Sequence, residues 1–246
     1  MSSSSPSSPV FRTEFAVSMT CDACARQVKE VLDKPTVRSV EVNVEDQRVL
    51  VESTEPPSAI TRMLKETGRT VIVRGLSYKA SGKEGEEEGA PVPGETVAGV
   101  SILEHASAAW KAHEGKKREG MSRTSGGLAR LVRAGPSLTL VDLTVHDFPE
   151  GTYTASIHSG GDVSDGPESC GEELYALGEV HVDAQGSGDL VSELPKPLWS
   201  VIGHGISVGG VSGVIARSSG VYENTKRVCA CDGRTMWEEA RLPSNM

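Results

Sequence analysis

The chain has 246 residues, with 34 Asp and Glu against 25 Lys and Arg and a formal net charge of −9. That length fits one large domain or two ordinary ones, and the acidic balance argues against nucleic acid or an anionic membrane as the main partner. No apolar run reaches the roughly 18 residues that mark a membrane span, so no stable membrane association is expected.

Residues 1–10 (MSSSSPSSPV) lack both an apolar core and arginine, so they are expected to form a disordered Ser-rich tail rather than a signal or transit peptide. From Phe11, apolar Phe11, Phe15, Val17 and Met19 alternate with polar Arg12, Glu14 and Ser18, the period of a half-buried strand. Between Asp22 and Asp33 the apolar set becomes Ala25, Val28, Val31 and Leu32, a helical stripe that Pro35 should end. Val40, Val42 and Val44 form a second strand, Asp46-Gln47 a turn, and Arg48–Glu52 a third strand. Pro56-Pro57 opens a second helix carrying Ile60, Met63 and Leu64, with Gly68 as its C-terminal stop. Thr70–Val73 is the last strand. The order β-α-β-β-α-β predicts a ferredoxin-like split βαβ sandwich over 11–79.

Residues 80–94 carry glycine, proline and a glutamate run and read as an acidic linker. Beyond it the pattern changes to short apolar stretches at 97–103, 128–132, 138–145, 152–158, 176–182, 188–194, 201–208 and 211–216, separated by Gly, Pro and Asp. That spacing predicts an all-β sandwich or barrel over 95–217. The lysine-rich stretch 106–120 reads as a loop with some helix, and 218–246 as a flexible C-terminal tail.

Chemistry concentrates in the cysteines. Five is an odd count, and Cys21/Cys24 and Cys229/Cys231 are spaced too tightly for a disulfide framework. Reduced, metal-handling thiols in a cytosol-like compartment fit better. Cys21 should lie in a strand-to-helix loop and Cys24 in the first helical turn, where unpaired amides and the helix dipole favour thiolate. Two soft sulfurs favour Cu(I); zinc, the second choice, wants four ligands where the motif supplies two. A thioredoxin-like dithiol and half of a zinc site remain open on pattern alone. Met19 is expected to pack beneath the loop, while Arg69 either approaches the loop and offsets its negative charge or is simply solvated. Cys229 and Cys231, two apart, lie on one side of an extended chain. They can chelate Cu(I) or close a small strained disulfide ring that another thiolate readily attacks.

Several stretches resemble known families. Phe11 to Lys79 resembles the heavy-metal-associated domains of M-x-C-x-x-C metallochaperones: Met19, Cys21 and Cys24 match the motif, and Arg69 falls where copper chaperones of this type often carry lysine. Glu95 to Arg217 resembles Cu,Zn superoxide dismutase in Pro149–His158 through Asp162, in Leu177-Gly178-Glu179-Val180 and in Gly213-Val214-Ile215-Ala216. That resemblance implies an eight-stranded Greek-key barrel. Tyr153 and Ser156 then stand where the enzyme's histidines would be, with only His158 remaining, and Glu173 and Ala176 replace the last histidine and aspartate of its zinc loop. The six histidines (His105, His113, His146, His158, His181, His204) show no ligand spacing and read as structural or solvated. Cys170 aligns with the loop cysteine of the enzyme's disulfide, and Ser212 stands at its partner position, which implies that the bridge is missing.

Ala216–Gly220, Cys229–Gly233 and Trp237-Glu238-Glu239 closely resemble the C-terminal segment of copper chaperones for superoxide dismutase, and the three-part order matches that family along nearly the whole chain. The resemblance implies a metallochaperone, not an enzyme. It would dock on a Cu,Zn superoxide dismutase subunit as a heterodimer through the Gly213, Val214 and Ile215 region and deliver Cu(I) from Cys21 and Cys24. Cys229 and Cys231 would carry metal transfer and thiol–disulfide exchange. A cytoplasmic location is expected, with room for a mitochondrial intermembrane-space fraction, and a homodimer is allowed without the target. The alternatives are a dismutase with residual activity and a zinc-binding scaffold in which Cys21, Cys24, Cys229 and Cys231 form a four-sulfur site.

Overall fold

A computed structural model describes residues 10–79, 97–105 and 125–223. The chain divides into two compact units, residues 1–90 with 219–246 and residues 91–218. The expected linker, the lysine-rich stretch with His113, and Cys229 and Cys231 lie outside the described residues. No helix among the described residues is long and apolar enough to cross a membrane.

The first unit has β1 (Val10–Val17), α1 (Asp22–Val31), β2 (Val37–Asn43), β3 (Arg48–Ser53), α2 (Pro57–Lys65) and β4 (Val71–Lys79), the expected order. Its antiparallel sheet runs β2-β3-β1-β4. Because side chains alternate along a strand, Phe15 and Val17 share one face of β1. They pack there with Val49 and Val51 of β3, Val28 and Leu32 of the α1 end and Ile60 and Leu64 of α2. α1 stops at Val31, short of Asp33. Pro35 disfavours helical geometry at the residue before it, so the last turn opens early. Pro57 starts α2 where no intrahelical amide bond is needed. Gly68, at φ 71°, turns the chain in the left-handed region and donates its amide to Lys65 O at 2.9 Å.

β4 is longer than its apolar pattern suggests. It pairs with β1 from Val71 opposite Val17 to Lys79 opposite Val10, with a register shift at Glu14/Phe15. That bulge breaks the period-two signal at Arg74-Gly75. The polar face of β1 is also not simply solvated, because Glu14 is only 2% exposed.

The second unit has β5 (Ala98–Leu103), β6 (Gly126–Gly135), β7 (Leu138–His146), β8 (Gly151–His158), β9 (Glu173–Val182), β10 (Gly188–Leu194), β11 (Gly205–Val208), β12 (Val211–Val214) and β13 (Ala216–Ser218). They form one antiparallel sheet in the order β12-β11-β8-β9-β10-β7-β6-β5-β13. The neighbours β7/β10 and β8/β11 are non-consecutive, the crossovers of a Greek key. Glu104 and Ser212 exchange two main-chain hydrogen bonds of 3.0 Å, which brings the β12 edge back to β5 and nearly closes the barrel. Leu103, Leu131, Leu143, Ile157, Val180 and Ile206 fill its interior.

Two expectations change here. The 201–208 stretch becomes a strand only from Gly205, because Leu198–Ser200 forms a 3-10 turn that puts Leu198 and Val201 into the core without strand geometry. The Gly213–Ala216 strand is interrupted at Ile215, whose main chain bonds His204 O and Gly203 N instead of a neighbouring strand. Ile215 is fully buried, so it is a core residue rather than part of an apolar surface. Gly213 lies against the Ile102 backbone, where a Cβ would come within 2.0 Å of the carbonyl oxygen. The exposed apolar side chains at this edge are Val214, at 38%, and its neighbour Ile102, at 66%.

Candidate metal centre

β1 ends at Val17, and the next four residues carry the chain across the end of the sheet to α1. Cys21 is the helix N-cap, in an extended conformation, and its carbonyl accepts the amides of Cys24 and Ala25 at 3.0 and 3.3 Å. This brings the two sulfurs within 3.4 Å of each other, with Cys21 exposed and Cys24 buried beneath it. The Cys24 thiol is pulled from 9.0 down to about 6. The Thr20 main-chain amide contributes most, then the Thr20 hydroxyl and the Cys21 thiol, while burial opposes the shift. The hydroxyl lies 3.7 Å from Cys24 Sγ. Near neutral pH the pair therefore presents a largely ionised Cys24 sulfur beside the exposed Cys21 sulfur. With metal–sulfur bonds of about 2.3 Å, two sulfurs this close can share a single soft ion.

The loop is held from below and from both sides. Met19 is 2% exposed and packs into the core under the loop, as expected. Gln47, in the turn between β2 and β3 at φ 52°, donates its amide to Met19 O at 3.0 Å and accepts the Val17 amide at 2.9 Å. Arg69 does approach the loop, donating to Ser18 O at 3.1 Å and to Gln27 Oε1 at 2.7 Å. Ser18 and Thr70 exchange main-chain and hydroxyl bonds beside it. Thr20, Gln27 and Gln47 escaped the sequence reading. Thr20 carried a local signal, a hydroxyl just ahead of a helix start; Gln47 is 28 positions from Met19 and carried none.

A heavy-metal-associated domain matches residues 14–70, a span that contains this loop and both helices. Over 258 aligned residues the chain is 33% identical to the superoxide dismutase 1 copper chaperone of Saccharomyces cerevisiae, covering 94% of both. The chain belongs to the superoxide dismutase 1 copper chaperone family. Similarity extends to the copper chaperone for superoxide dismutase of Homo sapiens, at 28% identity over 94% of this chain and 89% of that one. Among solved structures, the copper(I)-loaded first domain of the human copper chaperone for SOD1 is 40% identical, covering 27% of this chain and 96% of that one, with a TM-score of 0.27.

In this family member the barrel residues that the sequence reading set against dismutase ligands are engaged in protein contacts. Tyr153 donates its hydroxyl to Pro149 O, and Ser156 donates to Glu173 Oε2. His158 Nδ1 donates to Gly171 O at 3.1 Å, and its Nε2 lies 2.7 Å from the Ser207 hydroxyl. Both ring nitrogens thus serve the barrel. His204 Nδ1 donates to His158 O at 2.7 Å, and His181 pairs with Thr152. Among the described residues, no group of three or more His, Cys, Asp and Glu side chains is placed to hold a metal ion. Cys170 is a free thiol, fully buried and pushed above its ordinary value first by that burial, with the Ser212 hydroxyl beside it.

Proposed function

We propose that this chain carries Cu(I) on Cys21 and Cys24, delivers it to Cu,Zn superoxide dismutase, and promotes formation of the target's disulfide. The observation that carries the reading is the sulfur pair 3.4 Å apart, with Cys24 held mostly as thiolate and Cys21 exposed. Membership of the copper-chaperone family supplies the target. A loaded ion is cargo and must leave as easily as it enters. The buried, hydrogen-bonded Cys24 fixes one ligand, while exposed Cys21 can swing aside as an incoming thiolate bonds to the metal. Zinc is the less favoured ion, since two sulfurs leave half its preferred shell unfilled.

The barrel acts as a docking domain and not as an enzyme, a role supported by the protein hydrogen bonds that occupy Tyr153, Ser156, Glu173 and His158. Ile102 and Val214 offer an apolar edge for a dismutase subunit, forming a heterodimer. Cys229 and Cys231 act as a disulfide in the redox step. A target thiolate attacks one tail sulfur and the other tail sulfur leaves as thiolate. A second target thiolate then attacks the first target sulfur and displaces the bonded tail sulfur as thiolate, so the target gains a disulfide and the tail is left reduced. The reduced Cys21 and Cys24 needed for loading suit the cytoplasm.

Competition with a chromophoric Cu(I) chelator tests the loading site. Wild type and Cys229→Ser/Cys231→Ser should each retain an ion against the chelator, and Cys21→Ser/Cys24→Ser should surrender it. Retention by the Cys21/Cys24 variant, or tight zinc that needs all four cysteines, would overturn the assignment.

A further inference from the structure

We infer that the sheet face of the first unit turned away from its helices is a docking site for the chain's own Ser219–Glu223 segment, and that this clamp ties the tail bearing Cys229 and Cys231 to the metal-binding unit. The importance given to that tail rests on the function proposed above; the docking itself does not.

Glu14 is the starting point. A carboxylate in the middle of β1, on the face opposite Phe15, should be solvated, yet it is 2% exposed. Its Oε2 accepts the main-chain amide of Tyr222 at 2.7 Å, and its Oε1 lies 3.8 Å from Arg74 Nη1. A buried charge is tolerated when it is paired and hydrogen-bonded, and here part of that satisfaction comes from a residue 208 positions away. β4 is an edge strand, and its Leu76 amide donates to Ser219 O at 3.2 Å.

The segment is also read by shape. At Gly75 an added Cβ would sit 2.3 Å from Gly220 O and 2.9 Å from Val221 Cα, so only glycine lets the two backbones approach this closely. Tyr222 adopts φ 67°, a conformation that bulky side chains rarely accept without a compensating environment. That environment consists of two guanidinium groups over its ring, Arg12 at 5.4 Å and Arg48 at 5.3 Å, with Arg12 Nη2 also 3.4 Å from the phenol oxygen. Glu223 closes the turn by accepting the Gly220 amide at 2.7 Å. An edge amide, a buried carboxylate, a glycine floor and an aromatic slot between two arginines thus converge on five consecutive residues.

Chain length gives the consequence. Six residues beyond Glu223 is Cys229, and at about 3.5 Å per residue they reach about 21 Å. Glu14 stands three residues from the end of β1, about 10 Å at strand rise. From this anchor the tail thiols can reach Cys21 and Cys24, and a short tether keeps their effective concentration high.

Hydrogen exchange on the full-length apo protein tests the docking. The Leu76 amide should be protected in wild type and exchange at least tenfold faster in Gly75→Val, which blocks the site, and in Tyr222→Ala, which lies outside the sheet and leaves the fold intact. Crosslinking of Cys21 to a tail cysteine with a short bis-maleimide should fall severalfold in both. Unchanged Leu76 exchange in Tyr222→Ala would overturn the docking, and unchanged crosslinking alongside faster exchange would overturn the tether. Failure of the wild type to activate dismutase would count against the proposed function and leave the exchange result standing.

Discussion

At Cys24, three groups on two residues close in sequence decide the chemistry. The Thr20 amide, the Thr20 hydroxyl and the Cys21 thiol all favour the ionised sulfur, and together they outweigh the burial that opposes it. Because the folded-state value, about 6, lies below the 9.0 of an ordinary thiol, the bias toward thiolate is complete above about pH 9 and is lost as pH falls through about 6. In that window Cys24 binds a metal ion without first giving up a proton. Site-resolved alkylation of the apo protein should therefore show Cys24 reacting with a midpoint near pH 6. Thr20→Val, which removes the hydroxyl and keeps the larger contribution of the main-chain amide, should raise the midpoint and slow the reaction at pH 7, and a variant midpoint equal to wild type would remove the Thr20 hydroxyl from the site. The two thiols themselves were legible from C-x-x-C at a strand-to-helix junction. Gln47 and Gln27 were not, because a side chain that bonds a distant carbonyl leaves no local pattern.

At the scale of elements, the ferredoxin-like order was readable because both helices carry clean apolar stripes and β1 to β3 alternate. The reading failed where pairing overrode pattern. β4 follows β1 past a bulge to Lys79, and the stretch after Pro197 fills the barrel through a 3-10 turn. The last barrel strand shows the same limit: Gly213-Val214-Ile215 looks uniformly apolar, yet Ile215 turns into the core and only Val214 stays at the surface with Ile102. Docking should therefore respond to Val214→Asp and Ile102→Asp, each weakening association with a dismutase subunit about tenfold or more in sedimentation or light scattering, since a charge desolvated at an interface centre costs about 2 kcal/mol or more. Ile215→Asp should instead unfold the barrel. Undiminished association in the double variant Ile102→Asp/Val214→Asp would place the interface elsewhere.

For the molecule as a whole, the two folded units were the most legible feature and the grouping of residues 219–223 with the first of them the least. Composition separated the two folded units, but nothing in residues 219–223 taken alone announces that Glu14, Gly75 and Leu76 receive them. Such a contact depends on two distant segments meeting and becomes visible only in three dimensions. The proposed function gives loading to Cys21 and Cys24, docking to the barrel and the final exchange to Cys229 and Cys231. The most direct measurement mixes Cu(I)-loaded protein with reduced, metal-free dismutase in the presence of a Cu(I) chelator, and follows superoxide turnover and target disulfide together. The account predicts that wild type raises both, that Cys21→Ser/Cys24→Ser delivers no copper, and that Cys229→Ser/Cys231→Ser yields neither activity nor disulfide. Full activation by the tail variant, or none by wild type, would contradict it.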